Sequence, residues 1–316
     1  MTIKHIVISG GGPTLIQSLA AIQHLEERKF LDMKNIESIY GTSAGAVVGT
    51  LICLKYDWET INDYIIKRPW HDVFPIKVQN ILDAYTKKGL FDGKIIEKCF
   101  KPLLDAKDVP LDINLSDFYK YSNIELHFFT FDINEYKINN ISYLTHPELS
   151  LIVALQMTCA LPVLVTPVFI EDKCYVDGGI ACNYPLNYCI ESGKEPDEIL
   201  GIKNNYNDDK NNINLESTIL DFLLSFLFKA LFSISIDYKQ PPIKHEVICD
   251  CKYLNLNFLK DALSKVDVRK TLFTKGIESA TTFLEKNTEE IIEKNTEEIT
   301  AEILEDSVQE LCDSSL

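Results

Sequence analysis

The sequence predicts an α/β sandwich built on a mainly parallel sheet. Three observations carry that prediction: apolar runs of strand length alternate with helical stripes, glycines stand where the strands end, and the chain can bury a full core. With 316 residues, 46% hydrophobic and 25% charged, the length suits one large domain with an appendage, or two small ones.

The elements follow in order. "KHIVISGGG" reads as a buried strand, apolar at Ile6, Val7 and Ile8, that ends in glycines. "TLIQSLAAIQHLEERK" places Leu15, Leu19, Ile22 and Leu25 on one helical stripe, with charge at its C-terminal end. "NIESIYGTSAG" is a second strand, and "AGAVVGTLICL" is apolar all round, which predicts a deeply buried helix. Further strands are expected at "IELHFFTFDI", "VFIEDKCYVDGG" and "EILGIKN", with helices around Gly93–Leu104 and Ser150–Cys159.

After Lys203 the character changes. "NNYNDDKNNIN" is polar and rich in asparagine, as a linker would be. Thr218–Ile236 is a greasy helix whose polar residues Asp221, Ser225, Lys229 and Ser233 fall four apart in one stripe. That pattern predicts either a lid packed on the core or a helix lying in a membrane interface, since a span would bury Asp221 and Lys229. The chain closes with "EKNTEEII" repeated as "EKNTEEIT". Two copies make no solenoid. They read as an amphipathic helix with Leu284, Ile292, Ile299, Ile303 and Leu311 near one face, or as an acidic binding tail.

Charge and cysteine usage set limits. Net charge is −16, and Ile277–Leu316 carries −10 of it, with twelve acidic residues against Lys286 and Lys294. Phosphate contacts need clustered Lys and Arg, so nucleic acid is not an expected partner. Nine cysteines without framework spacing, and an N-terminus that runs straight into a strand, predict reduced thiols in an intracellular, cytoplasmic setting. Cys249-x-Cys251 is half a metal site at most, because no second pair has matching spacing. No metal and no cofactor is expected.

Three short stretches carry chemistry. Gly41-Thr42-Ser43-Ala44-Gly45 fits the G-x-S-x-G elbow, in which a strained strand-to-helix turn lifts a serine oxygen toward a substrate. Gly10-Gly11-Gly12 ends a strand immediately before a helix, where backbone amides free of side chains can face an anion. Leu15 breaks the dinucleotide pattern G-x-G-x-x-G. That leaves the oxyanion of acyl transfer, or a plain tight turn. Asp177-Gly178-Gly179 is a common turn signal. It also sets a carboxylate at a strand end, where it can serve as the base for Ser43. His245 alone among the six histidines follows Asp177 in a Ser-Asp-His order.

In order and spacing, "SGGGP", "GTSAG", "ALQMTCALPVLVTPVFI" and "DGGIACNYP" resemble the patatin-like phospholipases, over roughly Ile3–Lys203. The weaker segment "GLFDGKIIEKCF" also fits. The resemblance implies a three-layer α/β/α sandwich with a mainly parallel central sheet. It implies a Ser-Asp dyad without histidine or metal, and hydrolysis of acyl esters in phospholipids or lysophospholipids. Ser43 matches the nucleophile, Asp177 the base, and Gly10, Gly11 and Gly12 the oxyanion loop. Thr14 and Leu15 depart from the pattern, which usually continues with a basic residue and a glycine. Cys159 replaces a common serine. The departures leave open a catalytically weak, lipid-binding or regulatory member, and the acidic tail leaves open a partner-binding role. The predicted division is a patatin-like catalytic core over 1–203, a polar linker over 204–214, a helical lid or interfacial region over 215–276 and an acidic helical tail over 277–316. Peripheral membrane contact is expected through 218–236, and nothing in the sequence fixes an oligomeric state.

Overall fold

The computed structural model describes residues 2–75, 78–206, 213–235 and 240–288. Its strands are β1 His5–Ile8, β2 Ser38–Thr42, β3 Gly89–Phe91, β4 Glu125–Asp132, β5 Lys137–Ile141, β6 Val163–Val165, β7 Val168–Ile170, β8 Lys173–Asp177, β9 Ile199–Tyr206 and β10 His245–Cys251. Eight form one sheet in the order β10-β9-β1-β2-β4-β8-β7, with β5 beside β4, and β3 pairs with β6 apart from it. From β10 to β4 every pairing is parallel, whereas β5, β8 and β7 add antiparallel partners.

The central strands are buried on both faces, which is why they read as unbroken apolar runs. Successive side chains point to opposite faces. Ile6, Ile8, Ile39 and Phe128 join the larger core with α1 (Leu15–Glu27) and α2 (Ala44–Cys53), while Val7, Tyr40 and Phe129 pack with the helix Leu186–Glu191. The result is the three-layer α/β/α sandwich.

Two boundaries expected after Lys203 do not follow the elements. Asn204–Tyr206 are the end of β9 rather than the start of a linker. Within the region expected to be helical lies β10, which extends the sheet beside β9. Its alternation was legible: Val247, Cys249 and Cys251 are buried, while Ile248 and Asp250 are exposed. Buried residues at every second position, with Glu246 and Asp250 between them, mark a strand with one buried face, not a helix.

A helix covers residues 266–288 and crosses the expected boundary at 276. It lies on α1, where Gly276 sits against the backbone of Gln17 and the methyl of Ala20. Ala280 and Phe283 are buried there, and the Phe283 ring meets Phe30 edge-on at 5.1 Å. Arg269 fastens the helix to the body by donating to the carbonyls of Ile66 and Ala262, both at 2.7 Å. Ile292, Ile299, Ile303 and Leu311 of the expected amphipathic face lie outside the described residues.

Candidate active site

The elbow forms because β2 must turn at once into α2. Ser43 makes that turn at φ 52° and ψ −120°, in the left-handed region that costs a non-glycine residue energy. The flanking glycines are needed for space. A Cβ on Gly45 would run into the Ile8 carbonyl, and one on Gly41 would lie 2.5 Å from the Ala46 nitrogen. Thr158, fully buried, holds the strained residue: its hydroxyl accepts from the Ser43 N–H at 2.9 Å and donates to the Phe129 carbonyl at 2.6 Å.

Although Ser43 occupies the N-cap position of α2, its side chain caps nothing. The hydroxyl instead donates to Asp177 Oδ2 at 2.5 Å, across 134 residues of chain. Asp177 ends β8 and is 3% exposed. Its other oxygen, Oδ1, accepts from the Gly179 N–H at 2.8 Å, which fixes the carboxylate's orientation. Burial pushes its pKa up to about 6, against the pull of the Ser43 and Gly179 hydrogen bonds. Ser43 itself is half-buried, so the pair joins a reachable hydroxyl to a desolvated carboxylate.

The glycine loop lies alongside. A Cβ on Gly10 would come within 3.2 Å of Ser43 Cβ. The expected set of three amide donors needs one correction: the Gly10 N–H donates to the Asn183 carbonyl at 3.0 Å, so the protein itself uses that donor. Gly11 and Gly12 remain as the donors the loop can offer. From Gly12 the chain winds through a short 3₁₀ turn, Gly12–Thr14, into α1.

The sequence profile of the family described as Patatin-like phospholipase matches residues 6–190, more than half of the chain. The chain belongs to that family. It is 22% identical, over 286 residues and 90% of both chains, to "Probable lipid hydrolase 463L" of Invertebrate iridescent virus 6. It is 23% identical over 210 residues to uncharacterized protein R571 of Acanthamoeba polyphaga mimivirus, covering 66% of this chain and 68% of the other. Among solved structures, VipD from Legionella pneumophila matches with a TM-score of 0.56 at 15% identity, over 90% of this chain and 67% of its own. At that identity the likeness is one of fold.

The departures from the patatin-like pattern have visible positions. Thr14, where a basic residue was expected, is 1% exposed and spends its hydroxyl on the Gly11 carbonyl at 3.1 Å. Leu15 opens α1 and packs against the main core. Cys159 is half-buried beside Ser43 and Asp177, and desolvation of its thiol, aided by the Asp177 charge, holds it well above the ordinary range, so it stays protonated.

His245 does not complete a triad. It begins β10, whereas Ser43 follows the C-terminal end of β2, three strands across and at the other end of a parallel array. Strand spacing and rise put the two roughly 20 Å apart. Cys249 and Cys251 both face the core, with Cys251 Sγ 3.5 Å from Gln17 Oε1. Among the described residues no group of three or more His, Cys, Asp or Glu could hold a metal. Thr158 and Asn183 escaped the sequence reading, although both lie inside its quoted motifs. For Thr158 the available signal was a hydroxyl in "ALQMTCALP", a stretch apolar but for it and Gln156.

Proposed function

We propose that this protein is a serine acyl-ester hydrolase acting on phospholipids or lysophospholipids through a Ser43–Asp177 dyad. The 2.5 Å hydrogen bond between Ser43 Oγ and Asp177 Oδ2 carries the reading. Asp177 takes the Ser43 proton as Oγ bonds to the ester carbonyl carbon, and the developing oxyanion turns to the amides of Gly11 and Gly12. Collapse of the tetrahedral intermediate breaks the bond to the alcohol, which leaves with the proton held by Asp177. Water then repeats the sequence on the acyl-enzyme, with Asp177 again as base. A carboxylate raised to about 6 is still ionised at neutral pH and is a stronger base than an ordinary aspartate.

Substrate in a lipid surface needs an approach, and the helix Ile219–Ser235 offers one. Leu224 is buried and Phe228 packs against the core, while Ile219, Phe222 and Phe226 are exposed. With Ile213, Ser225 and Lys229, the two phenylalanines line an open groove of about 360 Å³. No helix among the described residues is long and apolar enough to cross a membrane. A docked helix with an apolar outer face suits peripheral contact. Eight free cysteines among the described residues suit a reducing, intracellular setting.

The test is hydrolysis of a panel of phospholipids and lysophospholipids by wild type and Ser43→Ala, with fluorophosphonate labelling alongside. Wild type should release fatty acid and label at Ser43, and Ser43→Ala should lose both, with turnover down at least a thousandfold. A wild type that binds lipid without hydrolysis or labelling supports the weak, lipid-binding alternative, which the buried, uncharged Thr14 favours.

A further inference from the structure

One carbonyl beside Ser43 is held more firmly than any backbone oxygen requires. The Gly10 oxygen accepts from Asn204 Nδ2 at 2.9 Å, from the Tyr206 hydroxyl at 3.1 Å and from Asn183 Nδ2 at 3.2 Å. Three side-chain donors thus converge on an atom with two lone pairs. Asn204 and Tyr206 close β9, beyond the stretch that matches the family, and neither belongs to a motif.

Register places this carbonyl between two neighbours. Ile8 pairs with Ile202 of β9 on one side and with Gly41 of β2 on the other. Two residues further on, Gly10 therefore stands level with Asn204 on the first side and with Ser43 on the second. Its carbonyl takes two of its three donors, Asn204 and Tyr206, from that first side, and the third, Asn183, from the chain that follows β8. The Gly10–Gly11 peptide is trans, and in a trans peptide the C=O and N–H point in opposite directions. Holding the Gly10 oxygen toward β9 accordingly turns the Gly11 N–H toward β2 and Ser43.

We infer that Asn204 and Tyr206, with Asn183, are positioning residues that preset the Gly10–Gly11 peptide so that the Gly11 N–H is aimed at the reaction's oxyanion. The inference rests on the hydrolase reading above. A flip of this peptide would point a carbonyl at the oxyanion in place of a donor, and the three hydrogen bonds oppose that flip before substrate arrives. The network is itself anchored. Asn204 Nδ2 also donates to Thr14 Oγ1 at 3.0 Å, and the Tyr206 ring stacks on Tyr253 with centroids 5.0 Å apart. It further explains why Gly11 carries no side chain. Gly11 has an extended φ of 169° that any residue adopts, yet a Cβ there would meet Thr14 Oγ1, Asn204 Nδ2 at 2.5 Å and the Tyr206 hydroxyl at 3.0 Å. Position 11 is glycine because the clamp occupies the space.

The experiment compares full-length wild type, Tyr206→Phe, Asn204→Ala and the double variant on a soluble short-chain ester, with Ser43→Ala as reference. Tyr206→Phe keeps the stacked ring and removes only the hydroxyl, so it remains informative even if Asn204→Ala unfolds. We expect kcat to fall about tenfold in Tyr206→Phe and about a hundredfold in the double variant, with KM unchanged. Complete loss of one oxyanion donor sets the limit of about two to three decades. Affinity for a trifluoromethyl ketone, which forms a tetrahedral oxyanion on the serine, should fall in step with kcat, a change that mere loosening of β9 would not produce. Wild-type kcat in a folded Tyr206→Phe, a KM effect at constant kcat, or unchanged ketone affinity each overturns the clamp. If Ser43→Ala alone abolishes turnover while the clamp variants keep it, only the clamp is wrong. If Ser43→Ala retains wild-type turnover, the hydrolase reading fails and takes the clamp with it.

Discussion

Residues 6–190 and the chain after Lys203 build one sheet by different means. The first stretch announces itself, because its turns are so crowded that only glycine fits. The second contributes β10, the end of β9 and the long helix over 266–288 with ordinary residues that any solvated segment might use. The contrast teaches where chemistry leaves a mark in sequence. Backbone-to-backbone approach, as at Gly41 and Gly45, restricts residue type to one and is readable. Side-chain hydrogen bonds to a loop, as from Asn204 and Tyr206, can be supplied by several residue types and are not.

The sharpest way to break this contrast is to disable the motif-bearing half. Ser43→Ala and Asp177→Asn should each lower turnover by three decades or more, and the double variant should be little worse, since members of one catalytic unit do not add. Asp177→Asn carries a second, opposite signature. The folded-state pKa of about 6 lies above the ordinary 3.8. Its protonation therefore favours the folded state fully at pH below about 4, and that advantage is lost as pH rises through 6. At pH 7–8 the fold bears a desolvated charge worth on the order of 3 kcal/mol, by 1.36 kcal/mol per unit. Asp177→Asn should unfold at a higher temperature than wild type at pH 8, and the gap should close toward pH 4. Near wild-type turnover in Asp177→Asn, or a lower melting temperature at pH 8, contradicts the role given to this buried carboxylate.

A smaller effect follows from the same group. In the proposed reaction Asp177 must be ionised, so kcat/KM for a soluble ester should fall tenfold per pH unit below about 6 and level off above it. His245→Ala should leave this limb where it is, because that ring sits at the far end of β10. A limb that moves or disappears in His245→Ala would restore a histidine to the mechanism.

How much was legible divides along the same line. The layer order, the parallel strands β1, β2 and β4, the elbow and the Ser43–Asp177 pairing could be read, because period, glycines and motif order all pointed one way. The Gly10 amide was misassigned as an oxyanion donor, because a sequence does not tell which of three adjacent N–H groups the fold consumes. Asn183 took it through a main-chain contact that no residue type encodes. β10 was missed for a different reason. Glu246 and Asp250 gave its segment a polar look, although an edge strand with one solvated face has that composition by design of its alternation.

The smallest expected effect on catalysis belongs to the helix Ile219–Ser235, where the two halves of the chain meet a lipid surface in the proposed function. Sequence left lid and interface as rivals, but the helix has a face for each. Leu224 is 1% exposed and Phe228 packs on the core, so those positions hold the helix down. Phe222 and Phe226, 49% and 66% exposed, face away, with ring centroids 6.4 Å apart. Asp221 does not need water for a stripe, since its carboxylate accepts from the Thr218 hydroxyl at 2.6 Å and caps the helix start. Replacing Phe222 and Phe226 with Ser should therefore leave the fold and soluble-ester turnover intact. Binding to zwitterionic phosphatidylcholine vesicles should weaken by about tenfold or more, the scale expected from losing two half-buried aromatic contacts. Because the chain carries −16, docking must rest on apolar burial, and added salt should not release the protein. Unchanged vesicle binding in the Phe222→Ser, Phe226→Ser variant, or release of wild type by salt, would remove the helix from the lipid surface and leave it as a lid alone.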